Sequence, residues 1–487
     1  MPESLRLENQ TLDKLSTAPW RLLTTSVPLS NAPTALLRPL LDDLVQEETY
    51  IEVVAGTNQS AETILAIKLP ADRAALWRTN LPIILKSIFG DTSEIKAVAA
   101  DYQLSTKDHQ LTLTHTGDWT VLSIRPSNNS PIQQSLNLAS SVHARLTTTG
   151  NPFVQETTNS WISGILDFSW LNRIAGWQLR SATNLPRCEF SALGDGANVR
   201  TLAKLTFPSK APIELEAWNI PTNLVHDPLS GFMAVRGIRP LLKSCGLWDE
   251  SRFGDTPNQA TFWSQSGNPA LRFFALPTQH SNNQMALLTQ FLLKDVNPIM
   301  AVFPHTTNVP IGSFEPTPGS QRLRWRGIPY IMPTLDLINE DSNTFIVGGL
   351  FQNRITNTSA PDSLLGQFKN DSDIILYDWE ASQTTTYALI QIAQTVRFVF
   401  GLNRFSMTNN SALPWIVAVS PKLDASGTTI RLTSTNTVSL TRSSTIGLTG
   451  LEIHLLAEWL ESPDFPKGLF SINSKPTPQT STRNTAP

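Results

Sequence analysis

Alternating apolar and polar runs that come in pairs constrain this chain more than any other feature. The clearest pair is "HQLTLTHTGDWTVLSI", residues 109–124, two alternating stretches around Thr116–Gly117–Asp118. Period-two alternation gives a strand one core-facing side, and glycine permits the positive φ that a tight reversal needs. "ATFWSQSGNPALRFFALP" repeats the pattern around Gly267–Asn268, and "GTTIRLTSTNTVSLTRS" does so nearer the C-terminus. "TYIEVVA", "ETILAIKLP", "QRLRWRG", "NTFIVGGLF" and "SDIILYDWE" read as further strands. "LGDGANV", residues 193–199, lies between two strand-like runs. It reads as a hairpin turn, because a glycine loop for phosphate must open a helix.

Helical spacing falls between the strand groups. Leu36, Leu37, Leu40, Leu41 and Leu44 share one helical face, and Pro39 places the expected start near Arg38–Pro39. A second helix is expected over 72–89, kinked or split at Pro82. Others are expected over 131–146 and 283–296, in "TTTYALIQIAQTVRFVF" and in "TGLEIHLLAEWLES". Strands paired with one another, with helices between the groups, predict an α+β fold of antiparallel sheets. "AIKLP" followed by a helix parallels "FFALP" followed by a helix, which suggests two related units with helices packed on one face. The expected organisation is a lead-in over 1–30, a first unit over 31–150, a middle β-rich connecting segment over 151–225, a second unit over 226–470, and a disordered tail over 471–487.

Composition narrows the function classes. Of 487 residues, 16% are charged, against about 25% in an average soluble domain. The polar surface must therefore be built largely from Ser, Thr, Asn and Gln, which leans towards an extracytoplasmic setting such as an envelope or periplasm, with the cytoplasm as the alternative. A net charge of −3 without a basic run argues against nucleic-acid binding. No run of about 18 apolar residues predicts a transmembrane segment. "MPESLRLENQTLDKL" lacks the basic and apolar regions of a secretory signal, so an envelope setting requires an export segment ahead of Met1.

The chemistry-bearing residues are scattered. Seven histidines show no metal-ligand spacing, and Cys188 and Cys245 form no C-x-x-C pair, so no metal or cofactor is expected. Both cysteines read as small buried side chains. Ser93 and Lys96 match S-x-x-K without the elements that accompany it in hydrolases. His226 and Asp227, in "NIPTNLVHDPLSGF", suggest a catalytic fragment, but neighbours on an extended chain point to opposite sides. Asp378 and Glu380, in "ILYDWEAS", share a face if the strand runs that far, or else mark its exit and help start the next helix. Asp42 and Asp43 read as the solvated side of a helix. The 13 tryptophans read mainly as core, with a hydrophobic groove as the alternative.

"PLLDDLVQEETYIEV", "AIKLPADRAALWRTNL", "GDWTVLSI", "EAWNIPTNLVHDPLSGFMAVRGI", "LLGQFKNDSDIILYDWE" and "STIGLTGLEIHLLAEWLES" together resemble a family of uncharacterised proteins from Verrucomicrobia-type bacteria. The resemblance spans about residues 30 to 465. It implies no activity, cofactor or catalytic residue, and it implies an N-terminal export or anchor segment that this chain does not show. The resulting expectation is a non-catalytic envelope protein that binds or scaffolds, with a protein or envelope partner. The alternatives are a hydrolase or transferase using His226, Asp227, Asp378 or Glu380, and a carrier of a lipid-like ligand.

Overall fold

The structure, a computed structural model, describes residues 12, 13, 15–18, 33–55, 61–89, 94–98, 101–105, 109–126, 160–169, 184–266, 271–302, 312–327, 332–340, 343–350, 362–400 and 412–461. The helix expected over 131–146, the turn at Gly267–Asn268, Ser93 and the tail lie outside these residues. The chain divides into two compact units, one built mainly from residues up to 144 and one from 145–409 and 414–454. The architecture is α+β, with antiparallel pairing throughout both sheets.

The first unit carries β1 (Thr49–Ala55), β2 (Ala61–Lys68), β3 (Glu94–Val98), β4 (Asp101–Ser105), β5 (His109–Thr116) and β6 (Trp119–Pro126) in the order β1-β2-β6-β5-β4-β3. The β5–β6 hairpin turns through Gly117 at φ 59°. Helices α1 (Thr34–Gln46) and α2 (Ala71–Phe89) pack Leu40, Trp77, Leu81 and Ile84 against Ile67 and Leu113 of the sheet. The expected start of α1 is corrected here, and of the two outcomes expected at Pro82 the split is excluded. Helix α1 begins at Thr34, and both Pro39 and Pro82 lie inside continuous helices. Each proline costs its helix one backbone hydrogen bond, offset by burial of the adjacent Leu40 and Leu81. The Pro39 carbonyl also accepts from Arg73 Nη2 at 2.9 Å.

Asp43 is the other correction: it is 4% exposed, not solvated. Its carboxylate accepts from Arg73 Nε and from Trp77 Nε1, each at 2.8 Å, tying α1 to α2. Asp42 is half-buried and accepts from Arg38 at 3.0 Å.

The second unit holds one thirteen-stranded sheet. Its strands are β7 (Ser160–Asp167), β8 (Arg187–Asp195), β9 (Asn198–Thr206), β10 (Leu229–Arg236), β11 (Gln259–Gln265), β12 (Leu271–Pro277), β13 (Ser313–Pro316), β14 (Leu323–Arg326), β15 (Thr334–Glu340), β16 (Asn343–Gly349), β17 (Ile374–Ala381), β18 (Ala425–Ser434) and β19 (Thr437–Ser444). They run β13-β14-β15-β16-β12-β11-β10-β17-β18-β19-β9-β8-β7. Strands β7–β9 thus extend the same sheet as the strands that follow residue 226. Gly196–Ala197 forms the β8–β9 hairpin turn, with Gly196 at φ 63°. Cys188 on β8 is a half-buried free thiol.

Helices cover both faces of this sheet. On one face Phe232, Trp263, Phe273 and Val347 pack with Val225 and with Leu364 and Phe368 of α3 (Asp362–Asn370). On the other, Ile346, Leu335 and Leu323 lie under Met285 of the preceding helix, Ser281–Phe291, which continues through a π turn to Val302. Helices α4 (Ser382–Phe400) and α5 (Gly450–Glu461) follow β17 and β19. No helix among the described residues is long and apolar enough to cross a membrane.

Candidate binding site

Strand order sets up the site. Across β17, β10, β11 and β12 the register places Glu380 opposite Gly231, Gly231 opposite Ser264, and Ser264 opposite Arg272. The parallel row two residues along reads Asp378, Met233, Phe262 and Phe274. Period two puts both rows on one face of the sheet. This is the face opposite the Phe232–Trp263–Phe273 core.

Above these rows lies a cavity of about 640 Å³, within the usual range for a small-molecule site. Leu292 and Phe314 border one end, and Thr385, Thr449 and Leu451 border the other. The floor needs its glycine. A Cβ on Gly231 would stand 2.9 Å from Ser264 Oγ, so a larger residue would close the row between Ser264 and Glu380.

Glu380 is 8% exposed and held from three sides. Its Oε1 accepts from Ser382 Oγ at 3.0 Å, Ser426 Oγ at 3.3 Å and the backbone N–H of Gly450. Gly450 opens α5, whose sequence Thr449-Gly-Leu-Glu452 forms a capping box. The N–H of Thr449 donates to Glu452 at 2.9 Å, and the N–H of Glu452 donates to Thr449 Oγ1 at 3.2 Å. The positive end of α5 thus meets a buried carboxylate.

Asp378 lies on the same face and differs sharply. No hydrogen bond to its carboxyl is formed among the described residues. Burial raises its pKa to about 6, and the nearby Glu380 and Glu452 charges add to the rise against Arg442. Arg442 is already committed, with Nη1 forking onto both Glu452 oxygens at 3.0 and 2.7 Å.

Arg272 stands at the other end of the row. Its Nε and Nη2 are closed off from water and meet no acceptor among the described residues. Burial pulls its pKa below the ordinary arginine value, while Glu380 pulls the other way. Arginine still keeps its charge. Charged donors closed off from water without an acceptor are costly, and such groups call for an explanation.

The residues singled out in the sequence separate. Asp378 and Glu380 share the cavity wall, because β17 runs to Ala381. Glu380 also meets the start of the next helix through Ser382. His226 and Asp227 do not line the cavity. His226 is 5% exposed, with its carbonyl accepting from Gln265 Nε2 at 3.0 Å, while Asp227 is exposed and accepts from the Leu229 N–H at 3.3 Å. Lys96 belongs to β3, which gives S-x-x-K no helical turn to act on. Sequence reasoning missed Arg272, Ser264 and Gly231. The available signal for Arg272 was a charged residue inside an otherwise apolar strand, "ALRFFALP". No family model, curated protein or solved structure matches the chain.

Proposed function

We propose that the second unit is a small-molecule-binding module whose cavity takes a largely apolar ligand and holds its anionic group on Arg272. The observation that carries this reading is the Arg272 guanidinium on the wall of a largely apolar cavity, with Nε and Nη2 closed off from water and meeting no acceptor among the described residues. A carboxylate or similar anion would meet the fork geometry of arginine, and Phe262, Phe274 and Met233 would pack the ligand body. The lipid-carrier expectation is closest to this proposal. The envelope setting is carried along with it, supported only by the low share of charged residues.

The test is calorimetric binding of dodecanoate and dodecanol to the full chain and to Arg272→Gln. Dodecanoate is expected to bind and to lose at least about tenfold in affinity in the variant, the scale of a charged hydrogen bond. Dodecanol is expected to be indifferent to the substitution. Dodecanoate binding that survives Arg272→Gln unchanged would refute the reading.

A second reading, an acid–base enzyme, is favoured by one observation: Asp378, titrating near neutrality, beside Glu380 in the same cavity. Such a carboxyl suits proton transfer near neutral pH. Ser264 accepts from Ser230 Oγ at 3.0 Å, and no histidine lines the described cavity wall, so a serine–histidine mechanism is not part of this reading.

A further inference from the structure

We infer that the ligand is a zwitterion whose cationic ammonium group sits at Asp378 and Glu380 while its anion sits on Arg272. The inference rests on the binding reading above and adds the second pole.

The cavity is electrically two-ended. Arg272 stands at one end of the row and Glu380 at the other, three strands away. At about 4.8 Å per strand this is about 14 Å between backbones. The intervening positions are Ser264 and Gly231, the two smallest side chains in either row, so the lane between the poles is open. Met233, Phe262 and Phe274 flank that lane with apolar surface. Arg272 does not reach the carboxylates: no ion pair joins it to either one.

The acidic end also keeps capacity that the chain does not use. Glu380 uses Oε1 for all three of its donors, which leaves Oε2 for the cavity. The Asp378 carboxyl has no donor among the described residues, and Arg442, the cation that favours its charge, is spent on Glu452. A ligand with only an anion would satisfy Arg272 and then cover two carboxylates with hydrocarbon, which desolvation penalises. An ammonium group removes that penalty and supplies three donors.

The test compares two chain lengths, octanoate with ω-aminooctanoate and dodecanoate with ω-aminododecanoate. Each is measured by calorimetry near pH 7.5 on the full chain and on Asp378→Asn. At least one amino acid is expected to bind about tenfold tighter than the carboxylate of its own length, the gain of one charged hydrogen-bonding contact. Asp378→Asn is expected to erase that advantage, weakening the amino acids while easing the desolvation that penalises the plain carboxylates. The zwitterion inference is overturned if neither amino acid outbinds its carboxylate, or if the advantage survives Asp378→Asn. Binding of carboxylates with no amino-acid advantage overturns this inference alone. A chain that binds none of the four overturns the binding reading as well.

Discussion

Asp378→Asn is expected to stabilise the second unit, and by an amount that depends on pH. Its carboxyl titrates at about 6 in the folded chain, against an ordinary 3.8. At about 1.4 kcal/mol per pH unit, that gap corresponds to about 3 kcal/mol. The folded state holds the proton more tightly than the unfolded chain. Below about pH 4 both states are protonated, and the wild-type chain has its full stability. As pH rises through about 6 the folded chain must ionise a buried carboxyl, and the benefit is lost. Glu380 on the same strand and Glu452 on α5 oppose that ionisation, with only Arg442 favouring it. Asparagine keeps the shape and never ionises. Urea unfolding of wild type and variant should therefore coincide near pH 4 and separate near pH 7.5, with the variant up to about 3 kcal/mol more stable. Equal stability near pH 7.5, or a loss at both values, would refute the reasoning. A substitution that stabilises the fold while removing ligand preference is the pattern of a residue retained for function.

Two further substitutions test the packing that holds the site. Arg236 is 4% exposed and donates to the carbonyls of Ile374, Glu216 and Ser372 at 2.8, 2.6 and 2.6 Å, with its guanidinium 4.5 Å from the Trp218 ring centre. Arg236→Met should cost about 3–5 kcal/mol and speed amide exchange in the segments around 216 and 372; unchanged exchange there would show that the latch carries no stability. In the first unit, Asp43→Ala strands Trp77 Nε1 and Arg73, and should cost about 3 kcal/mol. Thermal unfolding of the first unit checks this, and a shift within experimental error would argue that α1 and α2 are held by their apolar contacts alone.

Much of the fold was legible because its signals are local. The β5–β6 hairpin needs only alternation and Gly117, and β17 shows its face-sharing carboxylates by period two. Asp43 was misread for a reason that is also local. It stands seven residues after Leu36 and three after Leu40, which puts it on the buried stripe rather than opposite it. The site was not legible in the same way. Residues 231, 264, 272 and 380 form one row only because β17 inserts beside β10, ahead of the later hairpin. No spacing within the chain encodes that neighbour. Glu380 likewise gained its cap from Gly450, seventy residues away.

Two arginines of this sheet, Arg236 buried and Arg272 half-buried, give the strongest support to the proposed ligand. Arg236 and Arg272 lie on nearby strands of one sheet, on opposite faces. Arg236 shows what this fold does with a guanidinium kept for structure: three carbonyls and an aromatic ring are brought to it. Arg272 is half-buried, yet its Nε and Nη2 are closed off from water and receive no acceptor among the described residues. Glu380 is close enough to favour its charge, yet the chain ties that carboxylate to Ser382, Ser426 and Gly450 instead of to the arginine. An apolar residue at 272 would avoid the cost of the bare cation. The arrangement is therefore unfavourable as packing, and an anion at Nε and Nη2 would relieve it, which is what supports the proposed binding reading.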